Sequence, residues 1–207
     1  MVTIREIRLV RSQICIVLDT GETYWLSRED GIISGFAEGA EISQEDFCRH
    51  VRLCQYPKAL NDAVAMLARR PCSTGEITAR LHARRYIPEV VGMVLRRLEK
   101  ENLLNDEDFC AQWIRYRSDH RYGPSRIRRE LRMKGIPEDM IDAALDRMDP
   151  DEDRDHALAL ARKSWARMKP DEDSRKSRQK VIASLVRKGY DWETARAASD
   201  AAEQERK

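Results

Sequence analysis

The chain has 207 residues, 36% of them charged, 42% hydrophobic and 6% aromatic, with a formal net charge of only +2. Balanced charge beside that much apolar content excludes a wholly disordered chain, and folding is expected. No apolar run approaches the ~20 residues of a membrane span. The N-terminus lacks a signal-peptide layout. Cys15, Cys48, Cys54, Cys72 and Cys110 form no Cys-x-x-Cys pair, and Cys48, His50 and Cys54 lack a fourth ligand. No disulfide framework, metal or cofactor is expected, and a cytoplasmic location is.

In chain order, Ile4, Ile7 and Leu9, then Ile14, Ile16 and Leu18, alternate with a period near two and predict two strands. Asp19-Thr20-Gly21-Glu22 is a turn, and Thr23 to Leu26 reads as a third strand. One or two helices follow, over 27–36 and 43–56, the second opened by Ser43 three residues before Asp46. Residues 1–56 therefore read as a small β-rich hairpin and helix element.

From Pro57 onward the pattern turns helical and repeats. Ile77, Ile127 and Val181 align, as do Leu81, Leu131 and Leu185 four residues on, on the same helical face. The cations Arg84, Lys134 and Lys188 follow, then Arg85, Gly135 and Gly189, then Tyr86, Ile136 and Tyr190. A cation in a last turn, glycine at the left-handed position and a buried residue after it describe a helix end. The next helix opens with Pro88 or acids. Helices over 59–69, 106–120 and 153–167 would stand in front of these pairs. Ser73-Thr74-Gly75-Glu76 is a capping box, Asn105 opens the second module, and Gly123-Pro124-Ser125 separates two helices.

The expected fold is mainly α: three tandem three-helix, helix–turn–helix-like repeats at 57–104, 105–148 and 149–207, stacked into an elongated, curved body. Two departures stand out. Arg85 replaces glycine, and a left-handed arginine costs roughly 1 kcal/mol, so a different turn geometry is expected there. The charged connection from Lys169 to Ser177, with Pro170, is expected to be mobile.

The stretches Ala65 through Arg69-Arg70-Pro71-Cys72-Ser73, Leu103-Leu104-Asn105-Asp106-Glu107-Asp108-Phe109, Ile127-Arg128-Arg129-Glu130-Leu131-Arg132-Met133-Lys134-Gly135-Ile136 and Leu185-Val186-Arg187-Lys188-Gly189-Tyr190 resemble the RecX family in order and spacing. The resemblance covers about residues 57–202. Residues 1–56 also look like the β-rich leader of some members, less specifically. It implies tandem three-helix modules that bind RecA–DNA filaments along the groove, suppress RecA's ATPase and strand exchange, and touch DNA directly. It implies no catalytic residues.

Charge is segregated to match. Eight basic residues stand against two acids between Arg115 and Lys134, and ten against three between Arg162 and Lys188, which points to a polyanionic partner. The candidate RecA- and DNA-binding residues are Arg115, Arg117, Arg121, Arg126, Arg128, Arg129, Arg132 and Lys134, with Arg175, Lys176, Arg178, Lys180, Arg187 and Lys188. On a helical wheel Arg126, Arg129 and Arg132 fall away from the Ile127–Leu131 stripe, with Arg128 at its border. The first repeat has Glu76 and Ala79 at the positions of Arg126 and Arg129, so the basic surface belongs to the second and third. Trp113, Tyr116 and Trp165 are read as core, Tyr122 less clearly so.

His50, His82, His120 and His156 are scattered, phosphate-loop and nucleophile-elbow motifs are absent, and Asp106, Asp108, Asp151 and Asp153 suit helix starts better than acid–base chemistry. A non-enzymatic, monomeric regulator of the RecA filament with weak, salt-sensitive affinity for single- and double-stranded DNA is expected. The alternative is a helix–turn–helix transcription regulator that reads the major groove without RecA.

Overall fold

The computed structural model describes residues 1–168 and 174–206. The chain divides into two compact units, Met1–Asn105 and Asp106–Lys207.

The first unit opens with an antiparallel sheet of strands β1 (Val2–Val10), β2 (Gln13–Leu18), β3 (Thr23–Ser27) and β4 (Glu41–Ile42), in the order β3-β2-β1-β4. Arg11, at φ 57°, and Ser12 close the first hairpin. A register shift between Ile4 and Glu6 inserts one residue, so Ile7 rather than Glu6 resumes the core face. Ile4, Ile16 and Leu18 are fully buried, whereas Leu9 lies beyond the core and is exposed. Helix α1 (Arg28–Ile33) follows, capped by Ser27 accepting from the Asp30 amide.

Helix α2 (Gln44–Leu67) corrects the expected boundary at 56/57, which falls inside it. The two helices predicted at 43–56 and 59–69 are one. Pro57 removes a backbone donor from the helix interior, but it sits on the exposed side. Meanwhile Phe47, Val51, Gln55, Ala59 and Ala63, four apart, bury a continuous stripe. The front of that stripe packs on the sheet and the back on α3 (Thr74–Ala83) and α4 (Pro88–Lys100). The two cores share Ile87. Gln55, almost fully buried, joins them: Nε2 donates to the Trp25 carbonyl at 2.7 Å and Oε1 accepts from the Ile87 amide at 2.8 Å. The capping box on Ser73 and Glu76 forms as the spacing predicts.

The α3–α4 turn overturns the expectation of a different geometry. Arg85 is left-handed at φ 67°, beside Gly135 at 76° and Gly189 at 100°. All three turns share one hydrogen bond pattern: Tyr86, Ile136 and Tyr190 donate back to the carbonyls of Leu81, Leu131 and Leu185 at 3.2–3.3 Å. The Arg85 guanidinium lies 3.6 Å from the centroid of the Trp25 ring, a cation–π contact that offsets the strain.

The second unit holds α5 (Asp106–Asp119), α6 (Pro124–Met133), α7 (Glu138–Leu145), α8 (Pro150–Trp165), α9 (Ser174–Lys188) and α10 (Trp192–Gln204). Its two modules have separate cores, Phe109, Cys110, Ile127, Leu131 and Ile141 in one and Ala157, Trp165, Val181, Leu185 and Tyr190 in the other. Trp165 is buried and donates to the Ser199 carbonyl at 3.0 Å. Tyr116 departs from the core reading: it is 51% exposed and leans on His120, with ring centroids 4.5 Å apart. Of the connection expected to be mobile, residues 169–173 lie outside the described residues, and Ser174 to Ser177 belong to α9.

Candidate functional site

The two modules of the second unit meet where two helix ends complete each other. The N-terminus of α6 has no side-chain cap, because Gly123 occupies the cap position. The α9 C-terminus supplies acceptors instead: the Gly123 amide donates to the Lys188 carbonyl at 3.0 Å and the Ser125 amide to the Gly189 carbonyl at 3.1 Å. Orphan donors of one helix thus meet orphan acceptors of another, positive dipole end against negative. The approach requires glycine on both sides. A Cβ on Gly123 would fall 2.5 Å from the Gly189 carbonyl carbon, and one on Gly189 2.4 Å from the Arg126 Cβ.

Cations collect at this joint. Arg117, Arg126 and Lys188 surround the Tyr122 ring, at 4.4, 4.1 and 4.2 Å from its centroid. The charge is partly neutralised by Glu130, a buried carboxylate on α6. Glu130 accepts from Nε and Nη2 of Arg117 and, at 3.0 Å, from Nε of Arg126. Burial pushes the Glu130 carboxyl up, but the hydrogen bonds from Arg117 and Arg126 outweigh it and hold the group below its usual range.

The structure sorts the predicted residues into two sets. Arg117 and Arg126 are internal struts. Arg128 bridges Glu138 and Asp142, Arg132 pairs with Glu138, and Arg178 pairs with Asp200. Hydrogen bonds from Arg132 and Arg128 lower the exposed Glu138 carboxyl to about 2. Of the α6 arginines expected away from the apolar stripe, Arg129 and Arg132 are exposed, whereas Arg126 is drawn partly inward. Acids on α7 reach back to α6, and Glu130 sits between Ile127 and Leu131 on the buried stripe, drawing Arg126 inward. Lys134 lies 4.1 Å from the Trp113 ring centroid. Arg175 and Lys180 are exposed on α9 and engaged in further polar contacts. Arg115, Arg121, Arg129, Lys176 and Arg187 are exposed, and none has an ion-pair partner among the described residues. Arg121 is left-handed, at φ 57°.

Sequence reasoning missed Glu130. Its signal was present: an acid between two apolar stripe positions must be buried, and buried carboxylates need cations. It also missed that Gly123 and Gly189 meet at one point. Among the described residues no group of three or more His, Cys, Asp or Glu is arranged to hold a metal, and no helix is long and apolar enough to cross a membrane.

Repeated three-helix modules joined end to end, with cations gathered at a joint, define a tandem-module protein of the helix–turn–helix type. Family models for the second and third three-helix domains of RecX match residues 105–145 and 151–198. A regulatory protein RecX of Prosthecochloris aestuarii is 36% identical over 146 residues, covering 69% of this chain and 92% of that protein. One of Corynebacterium efficiens is 35% identical over 133 residues, 62% of this chain and 63% of that protein, so here the match spans less than two thirds of the relative. A crystal structure of regulatory protein RecX superposes with a TM-score of 0.65 at 25% identity, covering 97% of this chain and all of that one. RecX from Lactobacillus salivarius shares the fold, with a TM-score of 0.67 at 20% identity over 72% of this chain and 97% of that one. The chain belongs to the RecX family.

Proposed function

We propose that this protein regulates the RecA recombinase: it binds along the RecA–DNA filament and damps ATP turnover and strand exchange, with weak direct affinity for single- and double-stranded DNA. The observation that carries the reading is the set of exposed cations without acid partners among the described residues, Arg115, Arg121, Arg129, Lys176 and Arg187, within a RecX-family chain. Arginine suits phosphate because its planar fork donates two parallel hydrogen bonds. Arg128 and Arg132 join this set on binding, since exposed ion pairs contribute only ~0–1 kcal/mol and exchange readily for phosphate. Arg117 and Arg126 hold the joint and stay internal. The protein acts as a cytoplasmic monomer without catalysis of its own, by favouring one filament state over another.

The test is RecA ATPase on single-stranded DNA with purified protein added. Inhibition is expected, weakened when Arg115, Arg129 and Arg187 are changed to alanine. Each arginine–phosphate pairing removed in this way should lower the salt slope of DNA binding by about 1. A protein that leaves RecA turnover untouched yet binds one duplex sequence tightly would instead be the transcription-regulator alternative.

A further inference from the structure

Away from the basic joint, the second module carries a groove between α5 and α7 with the opposite character. It has a volume of about 760 Å³. Its floor is apolar and built from small or flexible side chains, among them Ala111, Ile114, Met140, Ala144 and Met148. The groove has a structural cause. The closing helix of this module, α7, has only 8 residues, whereas α4 and α10 have 13 each. The 14-residue α5 is therefore covered over part of its length only.

The rim is acidic. Glu107, Asp119, Asp139, Asp149 and Glu152 line it, against two cations, Arg115 and Arg147. Asp119, Asp139 and Glu152 have no ion-pair partner among the described residues. A second feature is independent of this charge. Ser118, on the groove wall, is 8% exposed, and its hydroxyl has no hydrogen-bond partner among the described residues. A buried hydroxyl without a partner is costly unless something supplies one.

We infer that this groove is a docking site for a cationic amphipathic helix of a partner protein. The apolar floor takes the i, i+3, i+4, i+7 side chains of such a helix. The acidic rim takes its lysines and arginines. An acidic partner or a nucleic acid is repelled by the net negative charge of the rim; Arg115 alone belongs both to this rim and to the polyanion-binding set.

The probe is a labelled synthetic helix with leucines at i, i+3, i+4 and i+7 and lysines elsewhere, titrated by fluorescence anisotropy into the full-length protein. Controls are the same peptide with glutamate for lysine and one with scrambled order. Saturable micromolar binding is expected for the first peptide alone. Ala143→Trp fills the groove from an exposed position and should abolish it. Asp119→Lys with Asp139→Lys changes only exposed rim charges and should weaken it by about tenfold or more. Glu193→Lys, on exposed α10 surface, should leave it unchanged. Equal binding of the scrambled peptide, or no effect of the groove and rim changes, overturns the inference. Self-association abolished by Ala143→Trp would also overturn it, by making a second copy the occupant.

Discussion

Arginine is poorly suited to the left-handed region, because its Cβ crowds the following carbonyl, yet Arg11, Arg85 and Arg121 all occupy it. Arg85 has the Trp25 ring as compensation. Arg121 is exposed without an ion pair among the described residues, next in the chain to Tyr122, on whose ring Arg117, Arg126 and Lys188 converge. Strain kept at such a place is consistent with a binding role. Arg121→Gly is expected to raise stability by about 0.5 kcal/mol, the ~1 kcal/mol of strain released less the chain entropy that glycine adds. The same change should weaken DNA binding. Urea unfolding and anisotropy on one preparation check both, and a stabilised variant with unchanged affinity would remove Arg121 from the binding set. Glu130 offers the converse. Its folded pKa lies below its usual value near 4.5, so the unfolded chain takes up the proton first. The stabilisation it gives is complete above that value and is lost as pH falls through the folded one. Glu130→Ala should cost about 1–3 kcal/mol by leaving the part-buried Arg117 without its partner, and should flatten this acid limb in denaturation curves recorded from pH 7 to 3. The basic composition of α6 was legible from sequence. Which arginines point out was not, because that depends on acids 10 and 14 residues away on α7 and on one buried glutamate.

At the scale of elements, local chemistry predicted most boundaries. Ser43, Ser73, Gly123-Pro124 and Pro88 stand where the helices begin, because cap preferences are set by backbone groups within one turn. Two features escaped. Pro57 reads as a break, but the buried positions spaced by four on either side hold α2 together, a tertiary effect that outweighs a local one. The pairing of Gly123 with Gly189 spans 66 residues of sequence and has no local mark. In Gly189 the repeat pattern showed a helix-ending glycine, which accounts for its positive φ but not for the close approach of α6. The two demands are separable by experiment. Gly123 has φ −76°, a conformation any residue adopts, so Gly123→Ala strains no backbone of its own. It places a methyl against the Gly189 carbonyl, and a cost of about 1–3 kcal/mol is expected from overcrowding. The loss should appear as faster hydrogen exchange at the Gly123 and Ser125 amides, with the cores of both modules still protected. Unchanged exchange there would mean that the joint is looser than its geometry indicates.

For the molecule as a whole, the proposed regulation depends on dividing the binding among modules. Each interaction is then weak, and linking them raises the effective concentration of the second once the first has formed. The third module contributes in two ways. It carries Lys176 and Arg187, and its α9 carbonyls cap α6 of the second module. A chain ending at Met148 loses both. The second module keeps its own core of Phe109, Ile127, Leu131 and Ile141, and the Gly123 and Ser125 amides pass to water, so the shortened chain should fold with its helical signal reduced only by the missing residues. Its inhibition of RecA ATPase should fall by about a hundredfold or more, beyond what the cations of the third module supply separately. Its DNA affinity should fall much less, because Arg115, Arg121 and Arg129 remain. The split between these two readouts is diagnostic. If both fall in proportion, the third module adds phosphate-binding cations and nothing more; if inhibition survives intact, a single module suffices and division of the binding among modules has no part in regulation.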